Sequence, residues 1–266
     1  MKTAVRISIS AAVLAAVVAL LAVLSAQSKR VRHETTCTGI MVEILDSARL
    51  GFVTPDDVKG ILSREYGTFM GQRLDSVGLR KIETILDGRS AILKSQAYTT
   101  GDGILHVSIT QREPIVKFQT SDGGYYADEA GYVFPLVQGY EANIPVVTGS
   151  IPMEIAHGYK GQPLSQKERT WLEGIINMMK YLQGDKKWNS AISKITVDEK
   201  GDLVLYPVKG KEKFIFGRPD EFKEKFRKLE DYYRYIVPSK EEGYYASVNV
   251  KYNGQIVCRP EKTRKR

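Results

Sequence analysis

Apolar positions along this chain follow three different patterns, and the first of them is continuous. From Ile7 to Leu24 the sequence runs ISISAAVLAAVVALLAVL, broken only by Ser8 and Ser10. At about 1.5 Å per residue, a helix over this run is roughly 27 Å long, close to the ~30 Å of a bilayer core. The pattern predicts a single N-terminal transmembrane helix over 7–26, preceded by a stub at 1–6. A cleaved secretory signal is the competing expectation, with Lys2 and Arg6 as its positive region and Val23-Leu24-Ser25 as the cleavage site. Signal cores ordinarily run to about 7–15 residues, which favours the anchor. Lys2 and Arg6 on one side face Lys29, Arg30 and Arg32 on the other, so flank charge assigns no orientation.

Residues 36–113 switch to short alternating and helical periods. Ile40, Val42 and Ile44 line one face of a strand. Thr54-Pro55-Asp56-Asp57 is a helix start, with Thr54 as cap, Pro55 in the first turn and both carboxylates at the positive end of the dipole. Val58, Ile61 and Leu62 continue that helix. Leu79, Ile82, Ile85 and Leu86 mark a second helix that stops near Gly88. Strands at Ile92 to Tyr98 and at Leu105, Val107 and Ile109 flank Gly101-Asp102-Gly103, a hairpin turn signal. The predicted order is strand, helix, helix, strand, strand.

Residues 114–259 are richer in short strands. Tyr125 to Phe134 predicts two strands about a turn, and Ile144 to Gly149 another extended piece. Ser165 and Glu168 form a capping box ahead of Trp171, Leu172, Ile175, Ile176, Met179 and Leu182 on one broad helical face. Strands are expected at Ile192 to Val197, Leu203 to Tyr206 and Lys213 to Phe216. An amphipathic helix follows from Asp220 to Tyr235, then a last strand from Tyr244 to Arg259 with Val248, Val250 and Tyr252 alternating. The fold class is α+β: one transmembrane helix, a β-α-α-β-β unit, and a β-rich unit with two helices ending in a terminal edge strand.

Charge changes this picture little once it is located. The net +8 comes from Lys2, Arg6, Lys29, Arg30, Arg32, Arg259 and the tail residues Lys262, Arg264, Lys265 and Arg266, offset by Glu34 and Glu261, so residues 35–258 are neutral overall. Nucleic-acid binding needs basic charge on a folded face, which argues against that class. Residues 260–266 are a basic tail. Cys37 and Cys258 show no metal-ligand or redox spacing, and either a disulfide or two unpaired thiols fits them. His33, His106 and His157 have no companions at ligand spacing, and His106 lies opposite the apolar face of its strand. No nucleophile elbow, P-loop, dinucleotide fingerprint or HExxH occurs, so no catalytic, cofactor or metal residue is assigned and a non-enzymatic role is expected.

The ordered segments resemble the bacterial cell-division family FtsQ/DivIB, in its Bacteroidota-type form. Thr38 to Arg112 is similar to the family's POTRA domain, and Gln111-Arg112-Glu113-Pro114-Ile115 to the arginine-x-proline exit from it. YYADEAGYVFPL and IPVVTG resemble the opening of the second, β-rich domain. Phe222 through Tyr233 resembles its late helix, and Val248 to Tyr252 with Gly254 to Val257 its terminal strand. The resemblance implies a single-pass inner-membrane protein with a cytoplasmic N-terminus and periplasmic body at the division septum. It would be a scaffold that binds FtsB- and FtsL-type proteins, with other divisome proteins meeting the POTRA unit. The implied partner-binding residues are Val250, Lys251, Tyr252, Asn253 and Gly254, reached by strand addition. Here the family's arginine before the tyrosine is Lys251, which keeps the charge and loses the bidentate fork. A signal-cleaved periplasmic binding module and an envelope hydrolase are the alternatives.

Overall fold

The computed structural model describes residues 13–25, 27, 34–121, 123–137, 139–240 and 243–261. Residues 13–25 are helical, with Leu14, Val18, Leu20 and Leu21 exposed. Among the described residues no helix is long and apolar enough to cross a membrane. The remainder of the expected span, Ile7–Ala12 and Ala26, lies outside the described residues, as do the stub at 1–6 and the tail from Lys262. The chain divides into two compact units, one ending at Gln111 and the other starting at Arg112.

The first unit contains β1 (Gly39–Ile44), α1 (Pro55–Glu65), α2 (Leu79–Asp87), β2 (Ile92–Thr99) and β3 (Ile104–Gln111). Its sheet has the order β1-β3-β2, with β1 parallel and β2 antiparallel to the central β3. A parallel pair needs a long crossover, and α1 and α2 supply it. Val58 and Leu62 of α1 and Ile82 and Leu86 of α2 are buried, as are Leu105, Val107 and Ile109 on alternate positions of β3. The turn joining β2 to β3 needs glycine at 103, where φ is +90° and a Cβ would lie 2.7 Å from the Thr36 carbonyl oxygen. His106 is partly buried: its ring stacks on Tyr98 with centroids 4.8 Å apart, and Nε2 lies 3.1 Å from Thr100 Oγ1.

A polar contact invisible to periodicity closes this unit. Gln111 is 1 % exposed. Its amide nitrogen donates to Asp46 Oδ1 and to the Leu50 carbonyl, each at 2.9 Å, while its Oε1 accepts from the Val53 N–H at 2.8 Å. One side chain thereby satisfies both ends of the β1–α1 loop.

The two aspartates of the α1 start have unequal roles. Asp57 completes a capping box: its Oδ2 accepts from the Thr54 N–H at 2.9 Å, and its own N–H donates to Thr54 Oγ1 at 3.2 Å. Asp56 is exposed and, among the described residues, meets Lys59 at 3.3 Å. Asp57→Ala is therefore expected to cost about 0.5–1 kcal/mol, and Asp56→Ala a few tenths at most, by urea unfolding. Hydrogen bonds, first from the Thr54 side chain, hold the Asp57 carboxyl below its ordinary value. Its stabilisation is then complete above an unfolded pKa of about 3.9 and lost as pH falls through the lower folded value. Equal losses for the two variants would show that the box is not what stabilises this helix end.

The second unit carries one nine-stranded sheet in the order β12-β11-β10-β9-β8-β7-β4-β5-β6. The first strands are β4 (Pro114–Thr120), β5 (Gly123–Asp128), β6 (Val133–Pro135) and β7 (Val146–Gly149). They are followed by α3 (Gln166–Gly184), β8 (Ile192–Val197), β9 (Leu203–Pro207), β10 (Lys213–Gly217), α4 (Phe222–Asp231), β11 (Tyr245–Asn249) and β12 (Val257–Pro260). β7 is parallel to β8 and β10 to β11, and in each case a helix, α3 or α4, makes the crossover. The α3 capping box is formed, with Glu168 N–H on Ser165 Oγ at 3.2 Å and the Ser165 N–H on Glu168 Oε2 at 3.2 Å. Ile175, Met178 and Met179 of α3 and Phe226 and Leu229 of α4 join Val116, Phe118, Phe214, Phe216 and Val248 in one buried core.

Three expectations are corrected here. β4 has no counterpart among the expected strands; Val116 and Phe118 alternate into the core beyond a proline that reads only as a boundary. The helix expected from Asp220 to Tyr235 is α-helical only over Phe222–Asp231, then turns π-helical over Tyr232–Ile236. The strand expected from Tyr244 to Arg259 is a hairpin, with β11 and β12 antiparallel and the chain reversing between them. The Asn249 side chain accepts from the Lys251 N–H at 3.0 Å, and Gly254 takes φ +65°, so asparagine and glycine chemistry breaks the run that alternation would continue.

Candidate functional site

Val250, Lys251, Tyr252, Asn253 and Gly254 come together in the loop joining β11 to β12, not on a strand. Val250 is fully buried and its N–H donates to the Ile215 carbonyl at 3.0 Å, so its side chain serves the core. The other four are partly or fully exposed.

Lys251 is held inward. Its ammonium donates to Asp202 Oδ2 at 2.8 Å, and that hydrogen bond raises its pKa above the ordinary lysine value. Close approach to β10 is possible because residue 217 is glycine: φ is +80°, and a Cβ there would sit 2.7 Å from the Lys251 Cβ. Tyr252 is exposed, with the Lys251 ammonium 5.2 Å from its ring centroid. A glutamate at this position would face Asp202, so Lys251→Glu perturbs the native loop as well as any docked partner.

Helix α4 ties this loop down from below. Lys228 is buried, and its Nζ donates to the Tyr252 carbonyl oxygen at 2.6 Å. Burial lowers its pKa, with Glu224 acting the other way. The Asn253 amide nitrogen, in the orientation that satisfies its hydrogen bonds, reaches Glu224 Oε1 at 2.9 Å and Oε2 at 3.1 Å. Lysine on an amphipathic helix ordinarily extends to water, so periodicity gives no sign of this clamp; spacing alone shows only that Glu224 and Lys228 share a face. Lys228→Met keeps most of the volume and removes a charge-assisted hydrogen bond, so the unfolding free energy is expected to fall by about 1.5–3 kcal/mol. Amide exchange at Tyr252, Asn253 and Gly254 should rise severalfold. Unchanged exchange in a folded variant would show that Lys228 does not hold the loop.

The loop delivers the chain into β12, the terminal strand of the nine-stranded sheet. One side of β12 pairs with β11, Val248 opposite Cys258 and Asn249 opposite Val257. The other side has no strand partner among the described residues. Val257 is 41 % exposed, and Pro260, which has no N–H to offer, ends the strand. At the far end of the sheet β6 is capped, since Val133 bridges to Gly161. The clamped loop thus leads directly into the open edge. Cys258 in β12 and Cys37 are both free thiols. Among the described residues no group of His, Cys, Asp and Glu is arranged to hold a metal ion.

Residues 35–110 match the POTRA-like domain, and residues 113–259 match the family described as FtsQ/DivIB, C-terminal related. No curated protein matches the chain. The second match covers more than half of the sequence, reaches into all nine strands of the sheet, and follows a POTRA-like unit in the order that the resemblance implies. On those grounds the chain belongs to the FtsQ/DivIB family, whose domains are those of cell-division scaffolds.

Proposed function

We propose that this chain is a single-pass inner-membrane scaffold of the division septum, without enzymatic activity, that recruits FtsB- and FtsL-type partners through its C-terminal hairpin. In this reading 1–6 is a cytoplasmic stub and 7–26 the transmembrane helix. The POTRA domain at 36–113 and the β domain at 114–259 are periplasmic, and 260–266 is a basic tail. Septal wall synthesis is regulated through the assembled complex, and the POTRA unit meets other divisome proteins. The observation that carries the proposal is the open edge of β12 beside a loop clamped by α4. An unpaired edge is a hazard for an isolated protein and a template for a partner strand, with affinity from main-chain bonds and specificity from alternate side chains.

Val257 offers an apolar contact on that edge, and Tyr252 an exposed aromatic anchor next to it. Lys251 already spends its charge on Asp202, so a partner carboxylate would have to share it. Two experiments test the reading. Protease added to spheroplasts should remove residues 35–266 while the stub stays protected; release of a soluble form beginning near Ala26 would establish the cleaved-signal alternative instead. Capture of the intact chain from cross-linked membranes should bring down FtsB- and FtsL-type proteins, and their absence would end the scaffold reading.

A further inference from the structure

The residues of β12 do not offer equal main-chain groups to an added strand. The Glu261 N–H donates to the Tyr244 carbonyl at 2.9 Å, so the main chain of residue 261 faces β11. Main-chain groups alternate in direction along a strand, and the register shift in this hairpin lies on the β11 side, between Tyr245 and Ser247. Arg259 and Val257 therefore also turn their N–H and C=O toward β11, while Cys258 and Pro260 turn theirs outward. Pro260 has no N–H. Within β12, Cys258 is left as the residue able to exchange both hydrogen bonds with an antiparallel neighbour, and it fixes the register of the strand that docks.

Side chains divide between the two faces in the same way. Val248 is fully buried and pairs with Cys258, which packs against the same core. Val257 and Arg259 stand on the opposite face, and both are exposed. On that face Arg259 pairs with Ser247, and Ser247 with Lys213 of β10. Neither β10 nor β11 contains a carboxylate, and neither Arg259 nor Lys213 forms an ion pair among the described residues. Glu261, two positions further along the chain, is exposed and does not meet Arg259. Lys251, at the other end of the loop, is already held by Asp202. The uncompensated charge on this edge is that of Arg259.

In an antiparallel ladder the residues flanking a hydrogen-bonded pair form the close pairs, with Cα atoms about 4.5 Å apart. A strand registered on Cys258 brings one side chain against Arg259 and another, two positions on, against Val257. Opposite charges in such a pair attract and like charges repel, and a slip of one residue turns both side chains to the other face. We propose that Arg259 selects and registers the docked strand, which runs antiparallel to β12 with an aspartate or glutamate opposite Arg259 and an apolar residue two positions later opposite Val257. This rests on the edge-docking reading and adds to it a requirement on the partner's sequence: acid, any residue, apolar residue, in chain order.

The test is capture of the FtsB-type partner by the full-length chain in micelles, with tryptophan fluorescence as the folding control. Arg259→Lys should keep capture within about twofold, Arg259→Gln should weaken it about threefold and Arg259→Glu about tenfold, with the differences shrinking in high salt. In the Arg259→Lys complex a carbodiimide should join the introduced amine to a partner carboxylate. Peptide mapping should then place an apolar residue two positions after that acid. Unchanged capture by folded Arg259→Glu, no cross-link to the partner, or a cross-linked acid without an apolar residue at that spacing would each overturn the proposal. Val257→Pro separates the two readings. Capture lost there but unchanged in Arg259→Glu sinks the register proposal alone, whereas capture unchanged in both folded variants sinks edge docking itself.

Discussion

Asp128→Ala is expected to lower the unfolding free energy of the β-rich unit by about 3–5 kcal/mol, the usual cost of breaking a buried ion pair from one side. Asp128 and Arg112 form that pair with side chains 8 % and 11 % exposed. The same carboxylate accepts the N–H groups of Ala130 and Tyr132, each at 2.9 Å, and the Arg112 guanidinium lies 3.7 Å from the Tyr132 ring centroid. Alanine would take the carboxylate from the Arg112 guanidinium and from two N–H groups at once. Asparagine in its place keeps an acceptor for the turn and loses only the charge, so Asp128→Asn should fall between parent and alanine. Both tryptophans, Trp171 and Trp188, lie in this unit, so urea unfolding followed by their fluorescence reports on it alone. A loss below about 1 kcal/mol for the alanine variant would mean that the pair contributes no more than an exposed one. The arginine-x-proline exit from the POTRA unit would on this account be a folding element of the β domain.

Under the proposed edge docking, Val257→Pro should reduce binding of an FtsB-type partner at least tenfold, about 1.4 kcal/mol, because proline breaks the pairing of β12 with β11 opposite Asn249 and displaces the strand that serves as template. Its cost in stability should be small, about 1 kcal/mol, since one hydrogen bond at a sheet edge is at stake. Asn253→Pro acts differently. Position 253 is in the loop, so this change removes the Asn253 amide hydrogen bonds to Glu224 only by replacing the side chain, and leaves the β12 edge available. It should therefore weaken binding less than Val257→Pro. The readout is partner capture by the full-length chain in micelles, with tryptophan fluorescence as the folding control. Undiminished capture by folded Val257→Pro would exclude β12 as the docking strand, and a larger effect at 253 than at 257 would move the site into the loop.

Where a signal is carried within four residues of chain, reading the amino acids suffices. Thr54 with Asp57 and Ser165 with Glu168 start helices because the side chain that satisfies an orphan N–H lies three positions away. The Gly101-Asp102-Gly103 turn, the alternation along β3 and the apolar face of α3 are local in the same sense, and the β-α-α-β-β order and α+β class follow from them. Family membership rests on such segments in sequence order. Local pattern fails where two equally good local continuations compete. Val248, Val250 and Tyr252 alternate as well as any strand, yet the chain reverses because the Asn249 side chain accepts from the Lys251 N–H and Gly254 turns, leaving Tyr252 outside a ladder.

The rest depends on partners far apart in the chain. Gln111 closes a loop 58–65 residues away, Lys228 reaches the Tyr252 carbonyl 24 residues on, and Lys251 finds Asp202 at a distance of 49. None of these polar residues differs, in its immediate neighbours, from one that points into water. Which lysine is buried and which strand is left at the edge are consequences of the order β12-β11-β10-β9. That order is set by the α4 crossover and by side-chain burial summed over the whole unit, and no short window of sequence holds it.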